Sequence, residues 1–369
     1  MNRLFRWDQM GLFLLALAAG ILPFAVPEVC AAALREGLTL CSGSLLLSLF
    51  PFLVVSRLLI QCPESDLLAL PFRLAAWGIG IRTPCAARVL CIGFLGGFAP
   101  AASAAAQAVR TGQLTAEEAD ALLPACICSG PSFVVLTVGQ SLLGSAELGV
   151  LLFAAQITAN YLTAALLNRF AGVRSVKPGS AAQASPAPPR LDEILADAAI
   201  TYCKLCGFIL FFRMLAAGAG ALLPAGAGTL CAILLEVCSG CDLASRTGRW
   251  GSLLCCAALS VQGLSVLLQV RTICPPEMTL RPLYRARMLH LPLSLALFYL
   301  LLPGGEADVF STLPVRVLLM RRVPPDCALL VFAVCCMAAC TLRSGIRQVE
   351  QKQMARNAGG CCINSKTLL

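Results

Sequence analysis

The sequence predicts an all-α polytopic membrane protein made of two halves, each with broken helices and a re-entrant hairpin. Three observations predict it. The 369 residues are 58% hydrophobic and only 13% charged, whereas an ordinary soluble domain carries roughly 25% charged residues. Several apolar runs reach the roughly 20 residues that cross a bilayer, and no polar stretch is long enough for a separate soluble domain. Finally, apolar runs are interrupted by Gly, Pro and Ser, and irregular backbone at membrane depth persists only where it is buried in protein or lines a cavity.

Residues 1–37 open with MNRLFRWDQM and continue apolar. A basic start before an apolar run has the form of a signal peptide, with 30–33 as a small-residue cleavage region. The run is long for that role and contains Pro23 and Pro27, so it reads as an uncleaved first membrane helix. A second crossing covers 38–60, kinked where Pro51 removes a backbone donor, and Arg57 near its end reads as a snorkelling side chain. Residues 66–82, with Arg73, Trp77 and Arg82, form an interfacial amphipathic segment.

Within 85–109, the set Gly93, Gly96, Gly97 and Pro100 breaks the helix and predicts a re-entrant hairpin with its tip near Gly97. The connector RTGQLTAEEADAL faces water. Thr115 and Glu118 form a capping box, and Glu117, Glu118 and Asp120 lie in the first turn, where the helix dipole favours them and their role is local. The next helix is broken around Ser129, Gly130 and Pro131 and continues to about 143. A further crossing spans 147–167. The Pro/Ala/Ser-rich basic stretch 172–190 is a flexible linker that separates a first half, 38–171, from a second, 191–303.

The second half has a crossing over 203–223 with Arg213 near its centre, where an arginine costs at least about 2.5–3.5 kcal/mol and needs an interior partner. The segment 227–243 contains LLEVCSGC, read as a broken helix with Glu236 as an isolated carboxylate. Residues 251–270 predict a second hairpin around Gln262 and Gly263. RPLYRARMLH reads as a basic interfacial segment, crossings follow at 289–302 and 326–342, and 304–369 holds the last crossing and a basic tail.

Composition also narrows the function. The net charge of +9 comes mostly from arginines between apolar runs, a pattern of topology signals and headgroup contacts. No basic run interleaves with exposed aromatics, which argues against nucleic acid. Most of the 21 cysteines lie in apolar runs, where cysteine acts as a small hydrophobe. The pairs Cys203/Cys206 and Cys238/Cys241 imitate a four-thiolate zinc site, but such sites knit small water-soluble modules; no metal or cofactor is expected. Cys361 and Cys362 beside the basic tail suit acylation or no role at all. One histidine, His290, leaves no His-based triad or multi-His site, and no P-loop is present, so neither an enzyme nor an ATP-driven pump is expected.

Half-helix starts expose N–H groups that attract anions. The expected substrate-binding set is Gly96, Gly97, Pro100, Ser103, Ser129, Gly130, Ser132, Glu236, Ser239, Gly240, Gln262, Gly263, Ser265 and Gln269. Close helix packing is the competing role for each Ser and Gly. Glu236 suits proton or cation coupling, a substrate hydrogen bond, or countercharge to Arg213; a structural pair with Arg213 or a bond to helix-end N–H groups is the plain alternative. Each half holds one hairpin and one broken helix, in reversed order, which suggests an internal repeat.

LFPFLVVSRLL (49–59), GFLGGFAPAASAAAQAVRTGQLTAEEADAL (93–122), SGPSF (129–133), LLEVCSGC (234–241) and QGLSVLLQV with RPLYRARMLH occur in this order. Their succession resembles the sporulation integral membrane proteins of the YlbJ (SpoVV) type, which contain the nucleoside-recognition or Gate domain. The resemblance implies a multipass protein of the outer forespore membrane with two Gate-like halves. It also implies a role in moving dipicolinic acid, a flat dianion, and a kinship with nucleoside transporters. The expected function is therefore a permease for a small organic anion working by alternating access, with the bilayer, a coupling proton or cation and a second copy of the chain as partners. The alternatives are a nucleoside-type transporter and a non-transporting scaffold for spore-envelope assembly. Pro100 is followed by Ala101, Ala102 and Ser103 where the family has Gly-Ala and a basic residue, CICSG replaces the asparagines near Pro131, and Gln262-Gly263 replaces a Gly pair.

Overall fold

The computed structural model describes residues 2–62, 65–171 and 191–302, and every regular element among them is helical. The linker 172–190, the crossing expected at 326–342 and Cys361/Cys362 lie outside the described residues. Among the described residues three apolar stretches are long enough to cross a bilayer, Ala146–Ala171, Leu191–Leu222 and Gly248–Ile273, so the chain is compatible with an integral membrane protein.

Where one N-terminal helix is expected there are two. α1 (Asn2–Ala25) and α2 (Pro27–Ser42) meet at 110°, because Pro27 at the first position of α2 starts a helix rather than continuing one. α3 (Ser44–Gln61) follows a break at Gly43 and carries Pro51 inside it. The short α4 (Ser65–Leu68) and α5 (Leu70–Gly78) present Leu70, Leu74 and Trp77 outward, in keeping with an amphipathic segment.

α6 (Pro84–Gly96) and α7 (Phe98–Arg110) are separated by Gly97 alone, at φ 80° and ψ −163°. They fold back on each other. A Cβ on Gly93 would lie 3.2 Å from the Ala101 Cβ, whereas eight residues of continuous helix span about 12 Å. α8 (Ala116–Cys126) opens with the expected capping box: Glu118 N–H donates to Thr115 Oγ1 at 3.1 Å, and Thr115 N–H donates to Glu118 Oε2 at 3.1 Å. An irregular stretch, 127–131, then leads into a π-helix, Ser132–Leu142, which packs on α9 (Ala146–Ala171) with Gly139 against Gly149. Small residues allow that backbone approach.

The second half begins with α10 (Leu191–Leu222), whose 32 residues run about 48 Å at 1.5 Å per residue. That exceeds the ~30 Å hydrocarbon core, and its first turns carry Asp192, Glu193 and Asp197. α11 (Ala225–Leu235) and α12 (Val237–Ser245) flank Glu236, which is extended at φ −151° and ψ 127°. This pair folds back: a Cβ on Gly240 would stand 2.8 Å from the Ile233 Cα. α13 (Gly251–Val261) and α14 (Gly263–Ile273) instead run on as parts of one 26-residue apolar stretch. Two left-handed residues, Gln262 at φ 64° and Gly263 at φ 68°, offset the helix there without reversing it.

The two roles expected in the second half are therefore exchanged. The folded-back pair is at Glu236 and the interrupted span at Gln262, so each half runs through a folded-back pair, two helices separated by a short break, and a long helix. The long helix of the second half, α15 (Arg281–Leu301), includes RPLYRARMLH in its first ten residues. That segment is a surface strip on one face only, with Arg281, Tyr284, Arg285 and Met288 exposed, while Leu283, Arg287, His290, Ser294 and Phe298 form a buried face along it. Asp120 is likewise more than local: its carboxylate accepts from Thr279 N–H at 2.8 Å and Leu280 N–H at 3.1 Å, tying α8 to the start of α15.

Candidate functional site

In each half the turn of the folded-back pair touches the interruption of the span. A Cβ on Gly97 would lie 2.7 Å from Gly130 N and 3.2 Å from the Cys128 carbonyl oxygen, and one on Gly263 would lie 2.9 Å from Glu236 N. Only glycine permits such an approach at a positive φ. The two interruptions also meet each other: the Gln262 amide donates to Ser129 Oγ at 3.3 Å and to the Leu259 carbonyl at 2.8 Å. Gly96, Gly97, Ser129, Gly130, Glu236, Gln262 and Gly263 thus share one junction between the halves. Pro100 packs against Gly96 at the first turn of α7, and Gly240 supports the α11–α12 turn.

Glu236 does not pair with Arg213. Its two carboxylate oxygens accept from Cys238 N–H at 2.8 Å and Ser239 N–H at 2.7 Å, capping its own helix α12. Arg213 reaches instead to Glu36 on α2, at 2.7 Å. The plainer of the two structural roles is the one formed, because the extended Glu236 backbone aims the carboxylate at the amides two and three residues on. It also fills the N-terminus that was expected to attract a substrate anion. Hydrogen bonds to a charged acceptor contribute about 1.5–3 kcal/mol each, so Glu236→Gln, which keeps one acceptor, is expected to lower stability by about 1–3 kcal/mol. A thermal-unfolding series with Glu236→Ala, expected to fall further, checks this; an unchanged midpoint in both variants would refute the capping role.

Ser132 is exposed on the π-helix and joins no cluster, and Ser239 contributes its backbone amide rather than its hydroxyl to the junction. Ser103, Ser265 and Gln269 lie farther along α7 and α14. Gln269 donates to Ser265 Oγ at 2.9 Å, and its own oxygen has no protein partner.

Ser103 leads to a residue that sequence reasoning placed at the lipid interface. Arg57 is buried, not snorkelling: its side chain is only 9% exposed and donates to Asp197 Oδ2 at 2.6 Å, Thr201 Oγ1 at 3.2 Å and Ser103 Oγ at 3.3 Å. It lines a cavity of about 150 Å³ between α3, α7, α10 and α14, whose floor includes Ser103 and Gln269 and whose mouth carries Arg110, Asp197 and Lys204. The floor lies six residues, about 9 Å of helix, from Gly97 on α7 and from Gly263 on α14.

No family model, curated protein or solved structure matches the chain. The site is therefore read from its own geometry.

Behind the junction is a second buried polar group. Arg287 donates to the Ile127 carbonyl at 2.8 Å, Asn160 Oδ1 at 3.2 Å and the Ser260 carbonyl at 3.3 Å. Ile127 ends α8 and Ser260 lies in the last turn of α13, so this guanidinium sits between two helix C-termini. Each carries roughly −0.5 charge, and together they take the place of a carboxylate. Gln156 donates to Ser260 Oγ at 2.9 Å, and His290 Nε2 lies 3.2 Å from the Gln156 carbonyl. The polar residues of α9 and α15 hold the two interruptions from behind; they do not face the cavity.

Proposed function

We propose that the chain is a multipass membrane permease for a small organic anion, working by alternating access around the junction of the two halves. The observation that carries this reading is the meeting of four helix interruptions at one buried point, with two turns formed by Gly97 and Glu236 and two helix breaks at 127–131 and at Gln262. Irregular backbone of this kind suits transporter cores, where half-helices pivot about a fixed site. On this reading the two folded-back pairs are re-entrant and the halves are a Gate-like repeat, whose shared element order supports duplication better than a reversed one would.

The resemblance to the sporulation membrane proteins favours dipicolinate as the cargo and the outer forespore membrane as the location. The chemistry of the junction adds a constraint. Glu236 already caps α12 and Arg287 already caps α8 and α13, so neither is left over to hold cargo. A coupling proton or cation remains open to Glu236 only if its capping bonds break during the cycle.

Uptake of radiolabelled dipicolinate into proteoliposomes tests the proposal. Saturable uptake that responds to an imposed pH or sodium gradient is expected. Its absence from well-folded, correctly inserted protein, together with normal dipicolinate content in spores of a deletion strain, would sink the permease reading and leave the scaffold role.

A further inference from the structure

The cavity between α3, α7, α10 and α14 carries an unbalanced charge. Arg57, Arg110 and Lys204 face a single carboxylate, Asp197. Arg110 and Lys204 make no ion pair among the described residues, so two positive charges are uncompensated. The surroundings grade from mouth to floor. Arg110, Lys204 and Asp197 are exposed, while Arg57, Ser103 and Gln269 are buried. A solute entering would thus meet mobile cations first and a fixed guanidinium with hydroxyl and amide groups after.

Arg57 and Asp197 are unequal partners. The arginine side chain is 9% exposed and held from three sides, whereas the Asp197 side chain is 64% exposed at the polar start of α10. An exposed carboxylate on a buried guanidinium is exchangeable: Asp197 holds Arg57 through Nη1 alone, another carboxylate can take that charge-assisted bond, and Asp197 can turn to water at little cost. Size limits the visitor. About 150 Å³ is well above the 10–15 Å³ that one water needs and below the roughly 300–1,000 Å³ of sites for drug-sized ligands.

We infer that this cavity binds a small, compact dianion, a dicarboxylate, with one carboxylate displacing Asp197 from Arg57 and the other held by Lys204 and Arg110 at the mouth. The inference names the cargo site of the proposed permease and rests on that reading. It moves the binding chemistry about two helical turns away from the junction, where glycines and caps do mechanical work. The Gln269 oxygen, which lacks a protein partner, accepts only from water on this reading, because a dicarboxylate dianion carries no donor. A phosphate on a lipid headgroup offers the same charge from a different source, so the test separates the two.

The test is calorimetric titration of dipicolinate and of the monocarboxylate picolinate into the full chain in nanodiscs of phosphatidylcholine, repeated with phosphatidylglycerol. The expected result is binding of dipicolinate at least tenfold tighter than picolinate. Arg57→Gln should weaken it tenfold or more, Lys204→Gln about threefold, and Asp197→Asn should tighten it about threefold by removing the competitor. Lys204 and Asp197 are exposed, so their variants keep the test decisive if Arg57→Gln does not fold. Binding indifferent to the Lys204 and Asp197 substitutions, equal binding of picolinate, or a cavity that phosphatidylglycerol fills and dipicolinate cannot enter would overturn the inference. Dipicolinate binding without flux defeats the permease reading alone; flux with unchanged KM in Arg57→Gln defeats the site alone.

Discussion

Gly97→Ala is expected to be among the most damaging single-methyl additions in the chain, lowering stability by about 2–6 kcal/mol and abolishing flux in whatever protein survives. Two costs combine. The backbone at φ 80° and ψ −163° belongs to a region that is essentially glycine's alone and costs other residues about 1–3 kcal/mol. The added carbon would also stand 2.7 Å from Gly130 N and 3.0 Å from its Cα. Both are backbone atoms, so no side chain can rotate away, and overpacking of this kind costs about 1–3 kcal/mol. Gly112→Ala is the control. Gly112 has a similar φ of 69° but nothing within 4 Å of its would-be Cβ, so it bears conformational strain of only about 1–2 kcal/mol. Thermal midpoints of the two variants, read by size-exclusion chromatography after heating, measure the backbone approach as their difference. Equal midpoints would mean that the α6–α7 turn does not rest on the interruption after α8.

That turn was legible in the sequence, as was the interruption at Gln262, because both concentrate glycine in an apolar run. Which of the second-half interruptions folds back was not legible. The answer depends on Gly240 meeting Ile233 and on Gln262 and Gly263 both taking a left-handed conformation, neither of which a window of apolar residues encodes. Arg57 shows a deeper limit. Its partner Asp197 is 140 residues away, across the linker, and nothing local distinguishes a buried arginine near a helix end from a snorkelling one. Arg287 is the opposite case. The density of basic residues in RPLYRARMLH suggests a headgroup contact, yet positions 283, 287, 290, 294 and 298 recur at helical spacing and form the buried face of α15. The polar stripe of Gln156, Asn160 and Thr163 on α9, also at helical spacing, is its counterpart. Periodicity held this information where composition concealed it.

The same residue supplies the second large effect. A buried arginine is ordinarily a liability, with an effective desolvation cost of several kcal/mol, and removing it can stabilise a protein whose partners go with it. Here the partners stay. Arg287→Leu takes a donor from the Ile127 and Ser260 carbonyls and from Asn160 Oδ1, leaving the Ile127 carbonyl only the longer 3.4 Å bond from the Asn160 amide, at about 1–3 kcal/mol for each acceptor left unmade. It also leaves the C-termini of α8 and α13 facing each other with about −0.5 charge apiece. These losses exceed the desolvation recovered, and a net loss of about 2–4 kcal/mol is expected. Arg287→Lys keeps the charge but replaces a rigid fork by a point donor, so it cannot hold acceptors on three different elements and should fall between wild type and the leucine variant. The order wild type, lysine, leucine in thermal midpoint is the result to look for. A leucine variant as stable as wild type would show that the two helix ends need no cation, and that the interruptions of the two spans are held together by Gln262 and Ser129 alone.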